Sequence, residues 1–220
     1  MKSAKFTLPC ATALLFLATP GLTQDGGLYE DVADPNAAFV RVIATGETVA
    51  VVQSVAFRDV EDGITPYVVT DPGEVKIVAA GTEVAEMVEP ATFYTYLVGP
   101  DGTGSLIEDD LTGNPAQADV TFYNLSDVEA VDLFVPQANA VAIPAVSTNS
   151  AATVALKAPL TLDFQMQSGD EMLAQVDAVD LKRRAGITII FSGAGGVIPP
   201  RSRTIVTSID AMARRNIRRQ

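Results

Sequence analysis

Histidine and tryptophan are absent from this 220-residue chain, and cysteine occurs once. Without His, the commonest general base at neutral pH and the commonest metal ligand are both missing. No Ser-His-Asp or Cys-His arrangement can be assembled. A zinc site would have to be built from carboxylates alone. The chain also has no G-x-S-x-G, no Walker lysine loop and no G-x-G-x-x-G opening a helix. The glycine-rich stretch Ser192–Gly196 follows an apolar run, but Pro199-Pro200 stand where a phosphate-binding helix would begin. It reads as a loop, and no cofactor is expected.

Long apolar runs are scarce as well. The longest, Phe6–Ala18, follows Lys2 and Lys5 and ends before Pro20-Gly21. It is too short for a stable membrane anchor and fits a cleaved export signal over residues 1–24. The single Cys, Cys10, lies inside it. The mature chain would then hold no disulfide, and each domain must rest on its own core.

Basic residues are few and crowded at one end. Residues 25–180 carry 26 acidic side chains against four basic ones, Arg41, Arg58, Lys76 and Lys157, for a charge near −22. Residues 181–220 run the other way, near +8. An acidic body repels phosphates, so nucleic acid is excluded as a partner. The tail 208–220 is Arg-rich and could form a short basic helix or stay frayed.

What is plentiful is Val, Ala and Thr. Val and Thr favour extended structure. In Ala38–Ile43, Phe39 and Arg41 share one strand face while Val40 and Val42 share the other. Further strands are expected over Thr48–Val55, Pro66–Thr70, Glu74–Ala79, Thr92–Val98, Asp119–Leu125, Ala130–Phe134, Thr153–Leu156, Leu160–Met166 and Gly186–Phe191. Gly99–Ala116, rich in Gly, Asp and Asn, reads as a linker. The acidic clusters Asp59-Glu61-Asp62 and Glu108–Asp110 read as solvated loops, with calcium the sharper alternative.

The two halves resemble each other. Ala38–Gly46 matches Ala118–Ser126, Glu74–Thr82 matches Thr161–Gly169, and Phe93–Val98 matches Ile187–Phe191. The expected fold is all-β: two tandem immunoglobulin-like β-sandwich domains after a signal peptide. Their bounds are 25–112 and 113–207, with a basic tail over 208–220.

Leu28-Tyr29 followed by Asp34–Ile43 resembles the opening of the AlgF family of alginate O-acetylation proteins. Asp119–Ser126 resembles the strand opening that family's second half. Ile187–Gly193, with Pro199-Pro200 and an Arg-containing strand, resembles its close. The resemblance implies a periplasmic accessory protein without catalytic residues. It would work beside periplasmic acetyltransferases and a membrane acyl-transfer protein, and could touch the polysaccharide. It points to Tyr29, Phe39 and Arg41 as partner-binding residues. The bland reading puts Phe39 in the core and Arg41 at its border or beside a carboxylate, with Tyr29 packing the amino-terminal segment. Asn124 reads as a turn setter. Two other functions compete: a cell-envelope binding module with an unrelated ligand, and a hydrolase built on an Asp or Glu pair.

Overall fold

The structure is a computed structural model that describes residues 34–206 apart from 48, 59, 100, 194–195 and 203–204. The expected signal segment, Tyr29 and the Arg-rich tail lie outside the described residues.

Eight strands build the first sandwich: β1 (Ala38–Ala44), β2 (Val49–Val52), β3 (Val55–Arg58), β4 (Tyr67–Thr70), β5 (Gly73–Ala79), β6 (Thr82–Val88), β7 (Phe93–Val98) and β8 (Gly104–Glu108). They form one sheet in the order β4-β1-β7-β8 and another in the order β3-β2-β5-β6. Eight more build the second: β9 (Gln117–Asn124), β10 (Ala130–Val135), β11 (Ala140–Ser147), β12 (Ser150–Lys157), β13 (Leu160–Ser168), β14 (Glu171–Leu181), β15 (Gly186–Gly193) and β16 (Gly196–Ser202). Their orders are β12-β9-β15-β16 and β11-β10-β13-β14. Each strand of the second sandwich takes the place of the strand eight positions earlier. The unusual pairing is repeated too: β1 runs parallel to β7, and β9 parallel to β15. The similarities between the halves therefore mark topologically equivalent strands. Among the described residues there is no α-helix, and none long and apolar enough to cross a membrane. The chain is all-β, in tandem sandwiches.

A short β17 (Ile205–Val206) leaves the second sandwich and pairs parallel with β4 at the edge of the first.

Period-two alternation sets each core. Val40, Val42 and Ala44 of β1 meet Val52, Val75 and Ile77 of the opposing sheet. In the second sandwich Val120, Phe122 and Ile189 meet Leu133, Phe164 and Met166. Each large apolar side chain buried in this way contributes about 1.5–3 kcal/mol. The two cores are separate. A third, smaller cluster joins the sandwiches: Ile43 and Leu97 from the β1/β7 sheet pack on Tyr123, Leu125 and Ile190 from the second half. The β1/β7 sheet and the β9/β15 sheet are thus buried on both faces. Their strands accordingly show near-continuous burial rather than alternation.

Two expectations are corrected. Thr48–Val55 is not one strand but a hairpin turning at Gln53-Ser54, where Gln53 takes φ 52° without a glycine to announce it. The stretch read as linker contains β8, so the connection between sandwiches is shorter. Asp119 holds that connection, accepting bonds from the Thr112 hydroxyl at 2.6 Å and the Gly113 amide at 3.2 Å.

Candidate functional site

The alternation of β1 puts Phe39, Arg41 and Ile43 on the face turned away from the first core. In a lone sandwich that face would meet water. Here the β9/β15 sheet covers it, and Arg41 is only 3% exposed.

Burying a guanidinium costs several kcal/mol unless its donors are met. Three are. Arg41 Nε donates to Thr95 Oγ1, Nη1 to Thr188 Oγ1 and Nη2 to the Tyr123 hydroxyl, each at 2.8 Å. Thr95 lies directly beside Arg41 on β7, whereas Thr188 and Tyr123 belong to the second sandwich. Hydrogen bonds to a charged group contribute roughly 1.5–3 kcal/mol each, which offsets the burial. The guanidinium carbon also stands 4.5 Å from the centre of the Tyr67 ring and 5.4 Å from that of Tyr123.

The balancing charge is Asp109, 4% exposed and just beyond the end of β8. Its Oδ2 accepts from the Tyr67 hydroxyl at 2.7 Å and from Thr95 Oγ1 at 2.5 Å. Its Oδ1 accepts from the Tyr123 hydroxyl. Thr95 and Tyr123 each accept a hydrogen bond from Arg41 and donate one to Asp109, so two hydroxyls bridge the two charges. In a region of low dielectric such a chain of bonds is mutually strengthening.

Electrostatics follow the geometry. Burial opposes the Arg41 charge, but the oxygens of Tyr123, Tyr67 and Asp109 more than restore it, and its pKa lies above the ordinary value. Burial raises the Tyr67 and Tyr123 phenols well above their usual range; Arg41 pulls each down, and Asp109 pushes each up. Both phenols are therefore neutral donors across the physiological range.

Thr95 and Tyr123 have no exposed surface, and Thr188 is 4% exposed. Their hydroxyls are committed to one another and closed to any substrate. The arrangement can hold two sheets together; it offers no nucleophile to solvent. Among the described residues no cluster of three or more acidic, His or Cys side chains could hold a metal ion.

Of the residues singled out in the sequence, the structure brings Phe39 and Arg41 onto one face. Phe39 is half-buried and outside the cores, stacking on Phe93 at 4.3 Å between ring centres; Tyr67 meets Phe93 edge-on at 5.2 Å. Asp109 is a buried acceptor, not part of a solvated loop. Asn124 does set a turn: its Oδ1 accepts from the Ser126 amide and hydroxyl, and its Nδ2 donates to the Val128 and Val146 carbonyls. Sequence reasoning missed Tyr67, Thr95, Tyr123 and Thr188. One signal was available: the internal duplication aligns Tyr123 with Ile43, marking both as the same face of equivalent strands.

The family model described as alginate O-acetyl transferase AlgF matches residues 12–188. The matched span includes every member of the buried network, from Arg41 to Thr188. No curated protein matches the chain.

Proposed function

This chain belongs to the AlgF family of alginate O-acetylation, and we propose from that premise that it acts there as a non-catalytic adaptor. It is exported by its amino-terminal segment to the periplasm. There it brings acetyltransferases to a membrane acyl-transfer protein, each partner engaging a different part of the tandem sandwich. Phe39, half-buried at the rim of the inter-sandwich face, is a candidate contact for one of them, together with Tyr29.

One observation carries the non-catalytic reading. A set of hydroxyl, phenol, guanidinium and carboxylate groups is sealed between two sheets and spent on itself. Acetyl transfer needs a nucleophile or base within hydrogen-bonding reach of a substrate. The family description contains the word transferase, so the purified chain must be assayed directly.

The deciding experiment deletes the gene and reads polymer yield and acetyl content by NMR. In parallel, the purified chain is incubated with an acetyl donor and alginate oligosaccharides. The adaptor reading expects acetyl content to collapse at near-normal yield, with no turnover by the chain alone. Turnover would make it an enzyme. Unchanged acetylation would leave a binding module with an unrelated ligand.

A further inference from the structure

The two sheets that face each other are equivalent members of the duplication. The first has the order β4-β1-β7-β8, the second β12-β9-β15-β16. Their apolar contacts come from matching positions: Ile43 and Leu97 on one side, Tyr123 and Ile190 on the other. Apolar packing is non-directional. Two like faces joined only by such contacts could settle at several angles, and tandem domains move relative to each other unless the interface forbids it.

The β17–β4 pairing ties the sandwiches at one edge, and the polar residues fix how the two faces meet. Where β1 carries Arg41, the aligned position of β9 carries Thr121. Arg41 crosses the interface to Thr188 and Tyr123, both at 2.8 Å. Asp109 collects Tyr67 from the first sandwich and Tyr123 from the second. Any slip or rotation of one sheet on the other strands a buried charge. Neither core depends on these residues, since both apolar clusters are complete without them.

We propose that Arg41 and Asp109 are positioning residues that lock the two sandwiches at one mutual orientation, and that acetylation depends on that orientation. The second half rests on the adaptor reading; the first does not. In a scaffold that presents two partners, the angle between its halves sets where one partner's active site meets the other's substrate. Misplacement at that scale is costly to a transfer reaction.

The test uses the full chain in a Cys10→Ser background with spin labels at Lys76→Cys and Gln175→Cys. Both positions are exposed, one on the outer sheet of each sandwich. The parent should give one narrow distance distribution. Arg41→Met should broaden it about twofold, or split it, while amide NMR dispersion stays that of folded β-sheet. Arg41→Lys should not restore it, because one ammonium cannot replace the planar fork. If Arg41→Met fails to fold, Thr188→Val with Tyr123→Phe removes the cross-sheet hydroxyls at near-constant volume and is read the same way. A narrow, unchanged distribution in a folded variant overturns the lock. In a deletion strain, the folded variant should restore acetylation roughly tenfold less than the parent. Full restoration by a variant with a broadened distribution overturns the functional half. Failure of the parent itself to restore acetylation counts against the adaptor reading and leaves the lock standing.

Discussion

Arg41 has a different meaning in a lone strand and in the folded chain. On β1 it is one polar residue in an alternating run; in the structure it is a buried cation with three donors met. Removing one member of such a set leaves the other charge without compensation. Arg41→Met should lower stability by about 3–5 kcal/mol in urea denaturation. Adding Asp109→Asn should cost less than the sum of the two single changes, because the second removes the charge that the first stranded. The phenols set a pH dependence. Burial holds Tyr67 and Tyr123 protonated above their ordinary pKa of 10.0. The unfolded chain releases those protons first. The associated stability is present in full below about pH 10 and is lost as pH rises beyond it. Denaturation midpoints should fall steeply above pH 10, with tyrosinate absorbance appearing together with unfolding. Midpoints that stay flat through that range would argue against the buried phenols.

At the scale of the element, the turns make contrasting demands. Gly63 has φ +70°, and a Cβ there would lie 2.0 Å from the Ala44 carbonyl oxygen; Gly46 has φ +84° and open space around it. Gly46→Ala should cost about 1–2 kcal/mol, the penalty of a left-handed conformation alone. Gly63→Ala should cost clearly more, since backbone must also move. Thermal melts of the two variants check the difference, and equal losses would mean that the Ala44 contact yields freely. The strands themselves were unevenly legible. β1, β5, β7, β9, β10, β13 and β15 stand in the sequence as apolar runs. The overlooked strands, β3 beyond Val55, β6, β8, β11, β14, β16 and β17, are all at sheet edges. Edges discourage pairing with other chains by carrying charge, proline or glycine. Hence Glu83 and Glu86 in β6, Pro144 in β11, and Asp177 and Asp180 in β14 mimic loop composition. β16 tolerates Pro199-Pro200 for the same reason, lying at the edge of its sheet.

Over the whole molecule, the acidic excess is barely compensated. The formal charge is −12, and the ion pair Lys182–Asp180, at 3.5 Å, is well exposed. Like charges spread over a compact body repel, and salt screens them over a Debye length of about 8 Å at physiological ionic strength. Raising salt from about 0.01 M to about 0.15 M should therefore raise the thermal midpoint. A falling midpoint would show that attractive pairs outweigh the repulsion.

The sequence by itself determined the all-β class, the duplication, the absence of histidine and, through Asp34–Ile43, the family. These follow from composition and from a period of two, which are local properties of the chain. Only the tertiary structure decided what Arg41 and Asp109 do. Alternation assigns a residue to a face but does not say what covers that face. Here the cover is a sheet whose contributing residues lie 82 and 147 positions away from Arg41. That contact turned an arginine read as a partner contact, a core border or a carboxylate's neighbour into a link between two sandwiches.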